Sequence, residues 1–175
     1  AAIGGTREFP IVIASVDGDS IGNKKDLNLG IAVALEHGLI VPVIRNADEK
    51  NLVGLSRAIE DLATRARTKK LNPDEVQGGT FTITNPGIFG ALYGLPLINQ
   101  PQVAIMGVGA IEKRAVVVDD AIGIRPMCHI SLRSDRRLVE GADAGRCSTS
   151  FTEPTQLAAR AGAWAGVALP APRAG

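Results

Sequence analysis

Aromatic side chains are scarce in this sequence, since four Phe, one Tyr and one Trp make up only 3% of its 175 residues. The hydrophobic fraction is nevertheless 45%, so Ala, Val, Ile and Leu must supply most of the interior. Small aliphatic side chains allow neighbouring segments to pack closely. A chain of this length suits one globular domain and can bury a sizeable core. We therefore expect a compact domain with an aliphatic interior.

Cysteine and histidine are also rare: the sequence contains only Cys128, Cys147, His37 and His129. Their spacing gives neither a CxxC pair nor a metal-ligand set, so no metal site is expected. His37 falls in a predicted turn, and His129 falls in an apolar alternating run, so we expect both to be structural and not catalytic. The two cysteines fit a reduced, cytoplasmic setting.

Long apolar runs and blocks of one charge sign are missing as well. Nineteen basic residues stand against eighteen acidic ones, which leaves a net charge of +1. Without a basic block there is no electrostatic reason to expect nucleic acid or a membrane surface as a partner. No run of apolar residues approaches the length of a membrane span, and the N-terminus lacks a signal-peptide pattern.

The chain is rich in short apolar segments that alternate with turn residues. Asn51 to Leu71 differs, because its Leu, Ile and Ala residues recur at helical spacing until Asn72-Pro73 ends the helix. Strands are predicted at residues 11–16, 27–35, 39–44, 80–84, 103–108, 115–118 and 121–132. Asp17-Gly18 and Glu36-His37-Gly38 provide turns between the early strands. Strands, one long helix and strands again favour an α+β fold with a mixed or antiparallel sheet.

Two familiar ligand motifs are matched only in part. Asp17 to Gly22 begins like a calcium loop, but Ile21 occupies a ligand position and Asn28 replaces the bidentate acid. Gly107 to Glu112 follows a strand like a dinucleotide-binding turn, but the third glycine is absent and a strand follows instead of a helix. We expect a surface hairpin at the first segment and no nucleotide site at the second.

Three separated segments point to one enzyme family. They are Gly79-Thr80-Phe81-Thr82-Ile83-Thr84-Asn85-Pro86-Gly87, Leu97-Ile98-Asn99-Gln100-Pro101-Gln102 and Ser134-Asp135-Arg136-Arg137-Leu138-Val139-Glu140-Gly141-Ala142. In this order they resemble the catalytic domain of dihydrolipoamide acyltransferases, the E2 components of 2-oxo acid dehydrogenase complexes. The resemblance extends over about Phe9 to Gly145. It implies a chloramphenicol-acetyltransferase-like fold, with a mixed sheet and flanking helices.

The resemblance also implies a reaction and the residues that perform it. The family moves an acyl group between dihydrolipoamide and coenzyme A, at sites formed between the subunits of a trimer. By resemblance, Thr84 would stabilise the oxyanion and Asn85 would contact substrate. The family motif Asp-His-Arg-x-x-Asp-Gly places its histidine base at Arg136 and its aspartate at Glu140. No metal takes part.

Arg136 changes what the resemblance implies about activity. A guanidinium stays charged at any relevant pH and cannot accept a proton. Loss of a positioned base costs on the order of 10²–10⁴-fold in rate. The sequence therefore leaves open an impaired acyltransferase and a non-catalytic core or assembly module, in which Arg136 and Glu140 could form a structural ion pair. A chloramphenicol-acetyltransferase-like enzyme is a third alternative, disfavoured by the intact Thr-Ile-Thr-Asn and Ile-Asn-Gln-Pro segments.

The resemblance finally predicts how the chain is organised. Residues 1–146 are expected to be a partial catalytic domain that lacks the family's N-terminal portion. Residues 147–175 depart from the resemblance, because the family's domain normally closes with a regular amphipathic helix that this sequence does not clearly indicate. From their Ala-, Gly- and Pro-rich composition we expect a poorly ordered or loosely docked tail. We expect no lipoyl-attachment domain in this chain. The expected partners are other copies, as a homotrimer or larger core, and the E1 and E3 components if the full-length protein is present.

Overall fold

The computed structural model describes residues 1–18, 20–118 and 120–160. Its helices and strands are α1 (Ala2–Glu8), β1 (Ser15–Asp17), β2 (Ser20–Gly22), β3 (Leu29–Ile31), β4 (Val33–Leu35), β5 (Gly38–Ile40), β6 (Val43–Ile44), α2 (Leu52–Arg67), β7 (Phe81–Thr84), β8 (Ala104–Val108), β9 (Glu112–Val118), β10 (Ala121–Met127), β11 (Ile130–Ser134) and α3 (Gly141–Arg160). Short 3-10 helices lie at Pro10–Ile13, Ala47–Glu49, Pro73–Val76 and Pro86–Phe89.

A five-stranded mixed sheet in the order β11-β8-β7-β3-β6 forms the centre of the fold. Strands β3, β7 and β8 are parallel, while β6 and β11 run antiparallel to their neighbours at the two edges. The pairs β1–β2, β4–β5 and β9–β10 form separate antiparallel hairpins. The mixed sheet with its helices confirms the predicted α+β class.

The predicted hairpins form at the predicted turns. Gly18 lies between β1 and β2 with φ of 56°, in the left-handed region that glycine adopts at little cost. The two apolar runs at 27–35 and 39–44 pair as expected, but each divides into two strands. Pro42 separates β5 from β6, because proline has no N–H to donate to a strand partner.

Helix α2 confirms the predicted long helix, but it ends at Arg67 and not at Leu71 as predicted. Asn51 caps its N-terminus, where the side-chain oxygen accepts from the Gly54 N–H at 2.8 Å. Lys69 has φ of 57°, and the N–H of Lys70 donates to the carbonyl of Arg65 at 2.8 Å. This bonding pattern is typical of a Schellman cap, and it ends the helix at Arg67.

Helix α3 continues past Arg146 to Arg160, although the sequence there does not clearly indicate a regular helix. Cys147 and Phe151 lie on α3 and are fully buried, and the rings of Phe151 and Phe81 meet edge to face at 5.9 Å. These two buried side chains dock residues 147–151, where the Ala and Gly content alone predicted a tail. Residues 161–175 lie outside the described residues, so the division at residue 147 stays a prediction for the rest of the chain.

Candidate functional site

Thr84 is the last residue of β7, and the two-residue period of a strand determines where it faces. Phe81 and Ile83 pack against the hydrophobic core, so Thr82 and Thr84 face the opposite side of the sheet. There both threonines line a cleft of about 580 Å³. The cleft is otherwise lined by Ala32, Leu39, Val41, Pro86, Gly94, Leu95, Pro96, Leu97, Ile98, Asn99 and Ile105. Thr84 thus contributes a hydroxyl group to mostly aliphatic walls.

The segment that forms one wall of this cleft is held to the sheet by a strand residue. Ser131 Oγ on β11 donates to the carbonyl oxygen of Gly94 at 2.6 Å. Gly107 on β8 lies beside this hydroxyl, and a Cβ added there would lie 2.5 Å from Ser131 Oγ. The missing side chain at Gly107 therefore leaves room for the Ser131 hydroxyl that holds the segment. Sequence reasoning gave Ser131 and Gly107 no role.

Asn85, the predicted substrate contact, directly follows Thr84. It is exposed and precedes the 3-10 helix Pro86–Phe89. Its side chain makes no capping hydrogen bond to the described part of that helix. Asn85 itself does not line the cleft, although its neighbours Thr84 and Pro86 do.

The second predicted site lies in the turn between β11 and α3. Asp135 and Arg137 form an ion pair at 2.6 Å, with further hydrogen bonds from Arg137 Nε to both carboxylate oxygens. These hydrogen bonds hold the pKa of Asp135 below its usual value. Arg136 and Glu140 are both exposed. Within residues 120–160 as described, no ion pair joins them, so the structural salt bridge considered above does not form.

One chain does not bring Thr84 and Arg136 together. Thr84 pairs with Gly107, near the C-terminal end of β8, whereas Ser134 pairs with Ala104, the first residue of that strand. Gly107 and Ala104 are three positions apart on β8, which corresponds to about 10 Å. Arg136 lies two residues beyond Ser134. The cleft and the Arg136 turn therefore lie at opposite ends of the central sheet.

A buried polar pair lies between these two ends and was not predicted. Thr82 Oγ1 donates to Gln102 Oε1 at 2.7 Å, and both residues are buried. The sequence signal was the threonine at alternate positions of an otherwise apolar strand. A buried hydroxyl needs a hydrogen-bond partner, and Gln102 provides it.

Within residues 1–18, 20–118 and 120–160, no three His, Cys, Asp or Glu side chains are grouped so that they could hold a metal ion. None of the helices described there combines the length and apolar character that a bilayer span requires. Burial raises the pKa of Cys147 to about 11, so its thiol is protonated and suited to packing.

Comparison with known proteins gives the family. Residues 1–156 match the model of the 2-oxoacid dehydrogenases acyltransferase catalytic domain. The chain is 44% identical over 155 residues to a succinyltransferase component of the 2-oxoglutarate dehydrogenase complex from Bartonella vinsonii, covering 86% of this chain. It is 52% identical over 129 residues to an acetyltransferase component of the pyruvate dehydrogenase complex from Mycobacterium tuberculosis, covering 71% of this chain. The chain spans only 38% and 23% of these relatives' lengths.

Solved structures agree with this match. Azotobacter vinelandii dihydrolipoamide acetyltransferase superposes with a TM-score of 0.84 at 36% identity, over 90% of this chain and 67% of the other. The cubic core of a pyruvate dehydrogenase multienzyme complex gives the same values. A chloramphenicol acetyltransferase superposes with a TM-score of 0.52 at 10% identity, over 85% of this chain and 72% of the other, and confirms the predicted fold. The chain therefore belongs to the 2-oxoacid dehydrogenase acyltransferase family, and residues 1–156 correspond to its catalytic domain.

Proposed function

We propose that this chain transfers an acyl group between dihydrolipoamide and coenzyme A, at sites shared between neighbouring copies in a homotrimer or larger core. One observation carries the proposal: the Thr84 cleft and the Arg136 turn lie at opposite ends of one sheet. In a closed ring of identical subunits, one end of each copy can meet the other end of the next. Each interface would then contain both parts of a site that a single chain keeps apart.

The spacing of the residues supports the assignment of Thr84, Arg136 and Glu140. The Azotobacter enzyme was studied for the role of a serine, a histidine and an asparagine in its catalytic mechanism, and these are 52 and then four positions apart. Thr84, Arg136 and Glu140 are separated by the same 52 and four positions. Thr84 keeps the hydroxyl of that serine. Arg136 replaces the histidine, and Glu140 brings a carboxylate in place of the carboxamide.

The proposed reaction exchanges one thioester for another. The sulfur of coenzyme A attacks the carbonyl carbon of the acyl-dihydrolipoamide, and a new C–S bond forms as a tetrahedral oxyanion develops. Collapse of the oxyanion breaks the bond to the dihydrolipoamide sulfur, which takes up the proton lost by coenzyme A. The Thr84 hydroxyl donates to the oxyanion, and a donor of this kind lowers the barrier by about 3 kcal/mol. The aliphatic cleft strengthens that hydrogen bond by excluding water.

With Arg136 in the histidine position, this reaction lacks a side chain that accepts the thiol proton of coenzyme A. A thiol is mostly protonated at neutral pH, so a base is needed to generate the attacking thiolate. A guanidinium cannot accept that proton, and the expected loss is on the order of 10²–10⁴-fold in rate. A positive charge near the thiol favours the thiolate and leaves a slower route. We therefore propose an acyltransferase with reduced activity in the sequence as it stands.

The relatives support an assembly of the same kind. One neighbour is the cubic core of a pyruvate dehydrogenase complex, and another is a truncated catalytic core of a 2-oxoacid dehydrogenase complex from Thermoplasma acidophilum. We propose that E1 and E3 components act on the full-length protein, with the lipoyl group carried on a segment outside this chain. Both acetyl and succinyl groups fall within the proposed substrate class.

Restoring the base tests the proposal directly. The double variant Arg136→His with Glu140→Asp supplies a group that titrates near neutral pH and a shorter carboxylate. We expect it to raise the rate of acyl transfer to coenzyme A by about 10²-fold or more over the parent chain. Arg57→His with Glu60→Asp is the matched control, because it makes the same two substitutions at exposed residues of α2 that do not line the cleft.

The same experiment separates catalysis from a purely structural role. Light scattering first establishes that the parent and the double variant form the same oligomer. If the double variant forms this oligomer and binds coenzyme A but stays as inactive as the parent, the assignment of Arg136 and Glu140 is refuted. That outcome would favour the non-catalytic assembly module.

A further inference from the structure

A second cavity lies at the edge of the central sheet where β3, β7 and β8 begin. Its volume is about 320 Å³, which is at the lower end of the range for small-molecule sites. Asn28, Thr80 and Gln102 line it just before these three strands. It shares no lining residue with the Thr84 cleft. The cavity is therefore a separate space at the opposite end of the sheet.

Gln102 brings an unused hydrogen-bond donor to this cavity. Its side chain is buried, with 5% of the residue exposed, and its Oε1 accepts from Thr82 Oγ1 at 2.7 Å. Nε2 makes no hydrogen bond to any of the described residues. Every side-chain nitrogen that is fully shielded from solvent in the described residues has a hydrogen-bond partner. Because Nε2 has none, it must be open to solvent, and the space that Gln102 lines is this cavity.

Gly79 leaves the space in front of this donor. It lines the cavity, and a Cβ added there would lie 2.9 Å from Gln102 Nε2. Any larger residue at position 79 would push against the amide group. The two N–H groups of Gln102 thus face a space that an acceptor can enter.

Positive charge surrounds the same opening. Lys24 and Lys25 are exposed residues of the cavity lining, and each carries an ammonium group on a flexible stem. Asp26, also in the lining, opposes them with one negative charge. The balance of ionised groups is positive, which favours an anion over a cation or a neutral acceptor.

We propose that this cavity binds a phosphoryl oxoanion, with Gln102 Nε2 donating at the closed end and Lys24 and Lys25 closing around its outer oxygens. Three donor groups match the several acceptor oxygens of a phosphate, and hydrogen bonds to ionised groups are the stronger ones. The cavity is larger than one oxoanion, so it also has room for part of the molecule that carries it. Free phosphate and a phosphorylated small molecule present the same group.

Inorganic phosphate is the probe, and isothermal titration at constant ionic strength gives its Kd. Gln102→Glu keeps an acceptor for Thr82 and replaces the donor by a carboxylate, so we expect phosphate binding to weaken at least about tenfold. Lys24→Gln with Lys25→Gln should weaken it by a similar factor without touching the core. Lys69→Gln with Lys70→Gln is the matched control, since it removes the same charge from another exposed lysine pair.

A second readout reports the site independently of affinity. The side-chain amide NMR signals of Gln102 should shift on saturation with phosphate in the parent chain. Absence of saturable binding would overturn the proposal. A Kd for Gln102→Glu, or for Lys24→Gln with Lys25→Gln, that equals the Kd of the Lys69→Gln, Lys70→Gln control would also overturn it. Coenzyme A is then added as competitor, an arm that rests on the proposed function. Displacement assigns the site to a phosphoryl group of that substrate, and continued phosphate binding assigns it to free phosphate.

Discussion

Thr84 owes its position to the alternation of side chains along β7. Phe81 and Ile83 are apolar and face the core, so the threonines between and after them must face the cleft. The strand ends there, because Pro86 follows and begins a 3-10 helix. A single hydroxyl group is thus fixed at the end of a rigid strand and surrounded by aliphatic side chains.

The hydroxyl itself should carry the contribution of Thr84. In the Arg136→His, Glu140→Asp background, Thr84→Ala should lower kcat by about 10²–10³-fold, because the oxyanion loses a positioned donor. Thr84→Ser keeps the hydroxyl and should remain within about tenfold of the starting variant. Steady-state assays of the three proteins check this. Equal losses for Ala and Ser would show that Thr84 acts through packing.

At the scale of elements, α2 is joined to the 3-10 helix that follows it by one bidentate ion pair. Arg65 contacts the two carboxylate oxygens of Glu75 at 2.6 and 2.7 Å, and the N–H of Asn72 donates to the same carboxylate. These hydrogen bonds, chiefly those of Arg65, lower the pKa of Glu75 to about 2. The connection fixes the path of the chain from α2 towards β7.

This ion pair predicts a pH-dependent stability. The folded pKa of Glu75 lies below its unfolded value of about 4.3, so its contribution is complete above that pH. It is lost as the pH falls towards 2. Urea unfolding should therefore show Glu75→Gln destabilised at pH 7, with the difference from the parent shrinking between about pH 5 and 2. Glu60→Gln, an exposed change on α2, should show no such trend.

Helix α1 offers a matched pair of glycines that tests the packing of α3. A Cβ at Gly5 would overlap the ring of Phe151, whereas one at Gly4 would meet no atom within 4 Å. Gly5→Ala should destabilise the domain by about 1–3 kcal/mol through overpacking. Gly4→Ala should stabilise it by up to about 1 kcal/mol, because alanine favours a helix. Equal effects in thermal unfolding would mean that Phe151 does not pack against α1.

At the scale of the whole molecule, local patterns predicted the elements better than their arrangement. The helical period was sufficient to predict α2, although the helix ends before the predicted Asn72-Pro73 stop, and turn residues were sufficient for the hairpins. The order of the central sheet depends on contacts between distant segments, such as β7 lying between β3 and β8. The segment of α3 after Arg146 was not predicted, because it is rich in Ala and Gly and only Cys147 and Phe151 anchor it. The burial of these two side chains depends on partners far along the chain.

For the candidate site too, local patterns predicted the residues better than their arrangement. The motifs singled out Thr84, Asn85, Arg136 and Glu140, but no local pattern indicates that the first two lie at the opposite end of the sheet from the last two. That separation follows from the parallel pairing of β7 with β8 and the antiparallel pairing of β8 with β11. The Gln102 cavity could not be predicted from the sequence either, because its walls come from the ends of three strands that are far apart in the chain.

A shared site between copies is the central claim, and mixing two chains that are each only weakly active tests it most directly. One chain carries Arg136→His, Glu140→Asp and Thr84→Ala; the other is the parent, with Thr84 intact. Neither alone combines the base with the hydroxyl. After co-expression in equal amounts, random assembly places the two together at about one quarter of interfaces. We predict about a quarter of the acyltransfer rate of the Arg136→His, Glu140→Asp protein. A mixture as inactive as its separate components, when that double variant is itself active, would contradict the account.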